Sequence, residues 1–447
     1  MKIPLTFVAI IIIILTCLTI DFNIRGWEKK DHVIFHDIHY YYGYLPAKFI
    51  FHDIKVEKGN YQNSDGEFLL WLVKLDNGKY IFKMTCGIAY LYAPFFFAAH
   101  FVAGFFGYNT NGFSEPYKFF LLLSAIFYLY VGLDFVRKTL LKLNFNETHT
   151  AISVFILGMA TNLLCYSSQQ APMSNVYSFT IISIFVYCTV MYHETQKTKY
   201  FISVSLLLGL ISLIRPTDIL VGLFFMLYGI NSWDQIKNAK IKVLYVFILT
   251  IGILIPWIPQ FLYWKEVTGS YFADGYQNEH FFFNNSMIHH GLIGFRKGWL
   301  IYTPVMAFAI MGFFFMNGTD KKAKNALIIL LIAYCYVTFS WWCWWYGGSF
   351  GQRVMINIYS MMAIPLASFI RKMSDNKKAI QLTVAAIVAF FIWLNIFQTF
   401  QFEKGSLHFE GMNQKLYFKQ FGKLEKIPDY DKYIDYINSD EAKAGNR

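Results

Sequence analysis

The sequence predicts an all-α polytopic membrane protein, and three observations support this fold class. Of the 447 residues, 56% are hydrophobic and only 15% are charged, which is more apolar surface than a soluble core of this size could bury. The apolar residues form runs long enough to cross a bilayer as helices. The Lys and Arg residues behind the formal net charge of +11 cluster between these runs, so they indicate membrane topology and not a nucleic-acid partner.

The apolar runs predict about 11 transmembrane helices. The first, at 3–20, follows Lys2 and lacks a small-residue cleavage site, so we expect it to remain as a membrane span. The others are predicted at about 117–136, 149–167, 173–192, 200–214, 217–231, 242–263, 298–316, 325–345, 353–370 and 379–399.

Basic clusters occupy every second connection between these spans. They are Arg137, Lys138 and Lys142; Lys197 and Lys199; Lys237, Lys240 and Lys242; Lys321, Lys322 and Lys324; and Arg371, Lys372, Lys377 and Lys378. The positive-inside rule places these connections in the cytoplasm and the intervening ones outside. If Lys2 is also cytoplasmic, the chain from 21 to 116 begins and ends outside, with Asn60 and Asn111 on the external side.

This topology predicts a large first external loop over 21–116 that contains interfacial helices. The apolar stretch 83–107 cannot cross the membrane once in this arrangement, and it contains Pro94. We therefore expect it to lie in the interface or to dip into the membrane and return. Residues 1–399 should form one membrane-embedded domain with 21–116 as its external catalytic loop. Residues 400–447 should form an external tail whose end is exposed and partly disordered.

A polar and aromatic stretch, HDIHYYYGYLPAKFIFHD, begins at His36 soon after the first span. Its Asp37 lies two residues before His39 and close to a run of three tyrosines. This neighbourhood suits a carboxylate that acts as a base on a hydroxylated substrate, while aromatic rings stack on that substrate. The residues expected to contact the substrate are His39, Tyr40, Tyr41 and Tyr42. The alternative is an ordinary external loop rich in interfacial tyrosines.

Two other carboxylates lie in the same loop. Asp53 follows a second His-Asp pair, His52-Asp53, and is the alternative catalytic residue if Asp37 is not the base. Asp31 lies away from the tyrosine run, so we expect it to matter less.

Two arginines at predicted external span ends are candidates for binding a phosphate. Arg215 lies in the tight turn SLIRPTD, and its guanidinium could match a phosphate or could pair with Asp218 to close the turn. Arg353 ends the run WWCWWYGGSFGQR, whose glycines permit close backbone approach to a ligand. Trp345 and Tyr346 in this run are expected to contact substrate, although such tryptophans also form interfacial belts.

Neither a metal site nor a disulfide framework is indicated. The loop 264–298 contains His280, His289 and His290, but no metal-ligand spacing accompanies them, so we do not expect a divalent metal. The six cysteines show no CxxC spacing and lie mostly in apolar segments.

The order of these motifs resembles that of bacterial membrane glycosyltransferases of the GT-C superfamily, relatives of the protein O-mannosyltransferases and the lipid A aminoarabinose transferases. The resemblance rests on Asp37 before YYYGYLPA, then on KMTCGIAYLYAPFFFAAH, NTNGFSEPY, SLIRPTD, GYQNEHFFF, HHGLIGFRKGWLIYTP and WWYGGSFGQR, and it extends to about residue 400. It implies a bacterial inner (cytoplasmic) membrane enzyme whose active site faces the periplasm or exterior. The donor would be a sugar on polyprenyl phosphate, and the essential external Asp of the family would correspond to Asp37. Many members carry a second acidic residue where this chain has Ser174 and Asn175, so a metal held by two carboxylates is not expected.

The resemblance and the residues together predict an inverting transfer of sugar to a glycan or lipid acceptor. Asp37 would deprotonate the acceptor hydroxyl, and Arg215 or Arg353 would stabilise the departing phosphate. No cofactor is expected apart from the donor substrate, and the other partners are membrane lipids. The alternatives are a lipid-linked oligosaccharide flippase or transporter, a polysaccharide polymerase, and a non-catalytic scaffold that would tolerate neutralisation of Asp37. The predicted span centres carry few acidic residues, which disfavours a transporter.

Overall fold

The structure, a computed structural model, describes residues 3–30, 32–57, 61, 69–230 and 243–447. Six residues on which the sequence predictions depend lie outside this part of the chain: Lys2, Asp31, Asn60, Lys237, Lys240 and Lys242. The described residues are mostly helical, as the composition predicts. Their β-structure is one short antiparallel hairpin, β1 (Val73–Lys74) with β2 (Tyr80–Ile81), and an isolated bridge between Phe281 and Trp341.

The α-helices of the described residues are α1 (Leu5–Ile24), α2 (Asp37–Tyr42), α3 (Tyr44–Phe49), α4 (Gly87–Phe105), α5 (Glu115–Lys142), α6 (Glu147–Met159), α7 (Leu163–Tyr166), α8 (Ser174–Thr195), α9 (Thr198–Ile214), α10 (Gly222–Leu227), α11 (Val243–Thr268), α12 (Ile288–Ile293), α13 (Trp299–Tyr302), α14 (Met306–Gly312), α15 (Lys321–Ser340), α16 (Tyr359–Ser374), α17 (Lys378–Glu403), α18 (Gln414–Gln420) and α19 (Ser439–Lys443). Short 3₁₀ turns at Gly26–Glu28, Pro216–Val221, Phe283–Asn285, Phe313–Phe315, Arg353–Ile358 and Tyr430–Tyr433 connect or extend them.

Within the described residues, eight helical stretches are long and apolar enough to cross a membrane. They are Leu5–Glu28, Gly87–Phe105, Glu115–Lys142, Ser174–Thr195, Val243–Thr268, Lys321–Ser340, Arg353–Ser374 and Lys378–Glu403. Shorter apolar helices cover Thr198–Ile214, Pro216–Leu227 and Met306–Phe315. Seven of the eight coincide with predicted spans and the eighth is Gly87–Phe105, so a multi-pass membrane protein is confirmed while the number of crossings stays a prediction.

One predicted span is interrupted. The segment expected to be continuous over 149–167 forms α6 and then, after a break, the single turn of α7. The break follows from two polar residues. The Thr161 hydroxyl bonds back to the carbonyl of Leu157, and the Asn162 side chain accepts the hydroxyl hydrogen of Tyr359, so both side chains compete with helical continuation.

Within the apolar stretch 83–107, Gly87–Phe105 forms one continuous helix, α4, so the alternative that the chain dips into the membrane and returns is wrong. The alternative that this stretch lies in the interface stays a prediction. Pro94 lies inside this helix without ending it. Helix α4 runs antiparallel to α5: the Tyr128 hydroxyl reaches the carbonyl of Leu91 at one end, and His100 bonds the Tyr117 hydroxyl at the other.

Two stretches lie at the centre of the helix packing. Of the most apolar 18-residue stretch in Ser174–Thr195, 83% is buried inside the protein. The corresponding stretch of Arg353–Ser374 is 94% buried. The two contact each other, and α8 also packs against α5 and α9. By contrast, α11 and α17 are mostly exposed, with 11% of the corresponding stretches buried, as expected for helices at the lipid boundary.

The tail is folded against the rest of the protein, so the expected partial disorder of its end is not what the structure contains. It forms α18, a 3₁₀ turn and α19. Arg296 forms an ion pair with Asp435 at 2.5 Å, and Arg447 donates to the carbonyl of Trp341 at 2.8 Å. The tail therefore covers the loop that precedes Arg353.

Candidate active site

The site is built around Asp37, the first residue of α2. His36, just before it, has φ 45° and ψ −127°, a backbone conformation rarely adopted by residues other than glycine. Strained residues of this kind persist where the surrounding structure fixes them, often at functional sites. The turn leaves the Asp37 side chain about one-third exposed, at 32%.

Arg353 pairs with this carboxylate although it lies 316 residues further along the chain. Its Nη2 donates to Asp37 Oδ2 at 3.0 Å, and its side chain is 13% exposed. Among the described residues, no hydrogen bond or ion pair reaches the second carboxylate oxygen of Asp37. The arrangement orients one oxygen of Asp37 and leaves the other available to a substrate.

Asn175, near the N-terminus of α8, forms a hydrogen bond with the backbone of Arg353. Asn175 donates through Nδ2 to the carbonyl of Arg353 at 3.0 Å and lies near Asn357 Oδ1 at 3.3 Å. Within the part of the chain that is described, Asn175 Oδ1 and Arg353 Nε are buried and have no hydrogen-bond partner. Buried polar atoms without partners are costly, and a bound ligand or water is a common way to satisfy them.

Arg215 reaches the same region from the end of α9. Its guanidinium lies 5.3 Å from the ring centre of Tyr346, a cation–π distance. Asp218, which is fully buried, accepts hydrogen bonds from the Tyr334 hydroxyl at 2.9 Å and from Asn357 Nδ2 at 2.7 Å. No ion pair joins Arg215 to Asp218 in the described residues, so the predicted alternative of a turn closed by that pair is not the observed arrangement.

An aromatic surface flanks Asp37. The His39 ring stacks on Trp71, with ring centres 4.7 Å apart and an interplanar angle of 6°, and Tyr40 meets Trp71 edge-on at 6.1 Å. Burial lowers the pKa of His39 to about 4, so its ring is neutral at pH 7. Burial, and secondarily the negative charge of Asp37, raises the pKa of Tyr40. Trp71 was not a sequence candidate because nothing in its local pattern distinguishes it from an interfacial tryptophan.

The other two tyrosines of the run point into the protein. Tyr41 is buried, and its hydroxyl lies 3.4 Å from Ser174 Oγ. Tyr42 is fully buried among Tyr92, Phe96 and Phe113, and its hydroxyl donates to the carbonyl of Gly112 at 2.5 Å. A helical turn explains this split, because successive residues of α2 face different directions. The structure places Tyr42 in the core rather than on a substrate surface, which corrects the expectation for that residue.

The alternative carboxylate, Asp53, has local partners. Its Oδ2 accepts from the Tyr61 hydroxyl at 2.8 Å and its Oδ1 from the Glu57 amide at 3.1 Å, and the residue is 8% exposed. Tyr61 in turn stacks on Phe51 at 4.2 Å. These contacts fit a turn-stabilising residue.

The two aromatic residues expected before Arg353 have different surroundings. Tyr346 holds Arg215 and donates its hydroxyl to the carbonyl of Thr338 at 3.0 Å. Trp345 is 1% exposed and donates its indole N–H to Glu410 in the tail at 2.8 Å. Trp345 therefore contacts the tail, and the structure does not bring it to Asp37.

A third group of side chains, which the sequence did not single out, borders the site. Glu279 forms an ion pair with Lys83 at 2.5 Å and accepts the indole hydrogen of Trp342 at 3.0 Å. The Lys83 ammonium lies 5.1 Å from the ring centre of Tyr276. Burial raises the pKa of Tyr276, and the charges of Arg215 and Asp37 also act on it.

No cluster of three or more His, Cys, Asp or Glu side chains with metal-binding geometry occurs in the ranges that the structure describes. The expectation that no divalent metal is needed stays a prediction. The cysteines of these ranges are unpaired.

Comparison with known proteins reveals similarity at the level of the fold. No protein-family model matches the chain, and no curated protein sequence matches it. The apo structure of the Archaeoglobus fulgidus oligosaccharyltransferase matches with a TM-score of 0.52 and 12% sequence identity, covering 99% of this chain and 60% of that one. The Archaeoglobus fulgidus oligosaccharyltransferase AglB in complex with an inhibitory peptide and a dolichol-phosphate matches with a TM-score of 0.49 and 11% identity over the same shares. This chain thus spans about three-fifths of the length of that oligosaccharyltransferase, and it shares the fold of the part that it covers.

Proposed function

We propose that this protein transfers a sugar from a polyprenyl-phosphate-linked donor to a glycan or lipid acceptor on the external face of a bacterial cytoplasmic membrane. The observation that carries the proposal is the Asp37–Arg353 pair, which joins a partly exposed carboxylate to a buried guanidinium in a GT-C fold. A base and an anion-binding cation are the two groups that such a transfer requires.

In the proposed reaction, Asp37 takes the proton of an acceptor hydroxyl. The acceptor oxygen attacks the anomeric carbon as the bond from that carbon to the phosphate oxygen breaks, so one displacement inverts the anomeric centre without a glycosyl-enzyme. The bond electrons leave with the polyprenyl phosphate, and its growing negative charge is stabilised by Arg215 and Arg353.

The ion pair gives Arg353 a second role in this scheme. An arriving phosphate competes with Asp37 for the guanidinium, and the shift of Arg353 toward the phosphate releases the carboxylate to act as a base. The unpartnered Arg353 Nε and Asn175 Oδ1 are further groups that a donor could satisfy. His39, Tyr40 and Trp71 offer the aromatic surface on which the sugar would stack.

Helix α4 provides a path for the lipid part of the donor. Its first residue, Gly87, packs so closely on α9 that a Cβ would lie 2.8 Å from the Ile214 backbone nitrogen, next to Arg215. Its far end exposes Phe101 and Phe105, whose exposed fractions are 73% and 74%. An apolar helix that runs from a phosphate-binding arginine to exposed phenylalanines suits a polyprenyl chain in the membrane.

The proposal is tested by incubating the purified protein with a panel of polyprenyl-phosphate sugars and measuring release of polyprenyl phosphate. Asp37→Asn preserves the size of the side chain and its hydrogen bond to Arg353 but removes the base. We therefore expect the variant to fold and to bind donor while transfer falls by about a hundredfold or more.

Asp53→Asn is the matched control, because it neutralises a carboxylate of the same loop whose oxygens accept from the nearby Tyr61 hydroxyl and Glu57 amide, and it should retain most activity. Full activity of Asp37→Asn would exclude the assigned base. Movement of lipid between leaflets without release of polyprenyl phosphate would identify a flippase instead.

A further inference from the structure

A cleft lies beside the tryptophans that precede Arg353 in the sequence. Its volume is about 550 Å³, and its walls come from α12, the tryptophan run before Arg353 and the tail. The residues that matter for its chemistry are His289, His290, Arg296, Trp344, Trp345 and Asn413. None of the groups assigned to the transfer reaction lines it.

The aromatic faces of the cleft are fixed in place. The His290 ring lies 5.7 Å from Trp344 at an angle of 38°, and Trp344 meets Trp345 edge-on at 5.8 Å. Trp345 is held by its hydrogen bond to Glu410, and Arg296 by its ion pair to Asp435. Rigid aromatic faces beside planar polar side chains form a surface on which the apolar face of a sugar ring stacks while its hydroxyls make hydrogen bonds.

Two donors on residues that line the cleft have no partner. The indole nitrogen of Trp344, in a residue that is 6% exposed, and Nε of Arg447 are buried and make no hydrogen bond to any described residue. Buried indole N–H groups normally find an acceptor, so these donors are unsatisfied in the structure. A sugar hydroxyl or ring oxygen is an acceptor of the required kind.

Packed side chains connect a wall of the cleft to the residues that border the Asp37 site. Trp342 meets Trp345, which lines the cleft, edge-on at 5.9 Å and donates to Glu279, whose other oxygen pairs with Lys83 near Tyr276.

From this geometry we propose that the cleft is a second saccharide-binding site, which holds sugar units of the acceptor glycan beyond the one that reacts. The inference rests on the proposed function for its biological role, but binding itself does not require catalysis. It assigns the ligand as an oligosaccharide and predicts that longer acceptors bind better than a single sugar.

Binding is measured by isothermal titration calorimetry with the full chain in lipid nanodiscs, in the Asp37→Asn background so that no turnover occurs. The probes are oligosaccharides of increasing length, from a single sugar upward, prepared by partial hydrolysis of the surface glycan of the source cells. Affinity should rise with length until the cleft is filled. Trp344→Phe, which keeps a ring but loses the N–H, should weaken binding of the longer probes about fivefold, and His290→Ala should weaken it by a similar factor.

Trp393→Phe is the matched control, since Trp393 is 48% exposed on α17 and does not line the cleft, and it should bind like the parent. The inference is overturned if no probe binds, if affinity is independent of length, or if both cleft variants bind like the parent. If the protein with Asp37 intact releases no polyprenyl phosphate from any donor of the panel while the longer probes still bind, the proposed reaction is refuted and the cleft assignment stands. Transfer of sugar without length-dependent binding would refute the cleft assignment and leave the proposed reaction intact.

Discussion

Arg353 illustrates how one residue connects sequence and site. Its positive charge, at the end of a run whose glycines permit close approach of a ligand, predicted an anion-binding role. The sequence could not indicate that the guanidinium pairs with Asp37, because 316 residues separate them and the pairing depends on the long-range contacts that place α2 beside the start of Arg353–Ile358. Tyr42 is the opposite case, since its place in a tyrosine run resembled a binding surface while helical geometry turned it inward.

One prediction concerns the planar guanidinium groups of Arg215 and Arg353. Arg215→Lys and Arg353→Lys keep the positive charge but lose the planar fork that binds two oxygens at once. Donor turnover should fall by about tenfold or more in each, since about 1.4 kcal/mol corresponds to a factor of ten. The measurement is kcat/KM for the donor.

Arg137→Lys is the control for these two variants. Arg137 forms an ion pair with Asp134 at 2.8 Å near the C-terminal end of α5, and we expect this position to tolerate the change. Parent-like kinetics in both Arg215→Lys and Arg353→Lys would mean that these residues only organise the loops around them.

At the scale of elements, the tail and the run before Arg353 are joined through Lys297. This residue is 1% exposed, and its ammonium donates to the carbonyls of Ser349 and Phe409. The sequence showed only a lysine beside an arginine in an external loop. Local composition could not predict its burial, because the tail residues that cover it lie more than a hundred positions away.

Burial lowers the pKa of Lys297 to about 7, from 10.5 for an exposed lysine. Between these values the unfolded chain binds a proton that the folded protein does not, so the free energy of unfolding should rise as the pH increases from about 7 toward 10.5. Below pH 7 both states are protonated and this dependence should disappear. Thermal unfolding in nanodiscs across this range measures the slope.

Lys297→Met should reduce this slope, whereas Lys423→Met, at an exposed position of the tail, should leave it unchanged. An identical slope in the parent and in Lys297→Met would show that Lys297 titrates normally in the folded protein.

At the scale of the whole molecule, hydrophobic runs and basic clusters predicted the class and most of the long helices. They succeeded because both signals are local and arise from the bilayer itself. The continuity of α4 and the folded tail were not predicted, since each depends on contacts with distant parts of the chain. In the candidate site, the sequence named Asp37, Arg215 and Arg353 one by one, but it could not indicate the pairing of Asp37 with Arg353.

Cysteine labelling tests the topology of the chain as a whole. Cysteines introduced at Asn111, Glu279 and the exposed Phe272 should react with an impermeant reagent from outside, while those at Lys199 and Lys322 should react only from the cytoplasmic side. Because Cys343 is partly exposed, the reporter background should carry Cys343→Ser. Asn60, although outside the described residues, is informative here: if it reports the opposite side from Asn111, α4 crosses the membrane.

The two halves of the candidate site differ in how firmly they are anchored. Arg353 starts a helical segment whose most apolar stretch is 94% buried, whereas Asp37 starts a helix of only six residues that packs on α4 through Tyr42. Short helices open locally at a lower free-energy cost than the centre of a protein, so the amides of α2 should exchange with solvent faster than those of Arg353–Ser374. The equilibrium between the open and packed forms of α2 would then set the fraction of molecules in which the Asp37–Arg353 pair is complete.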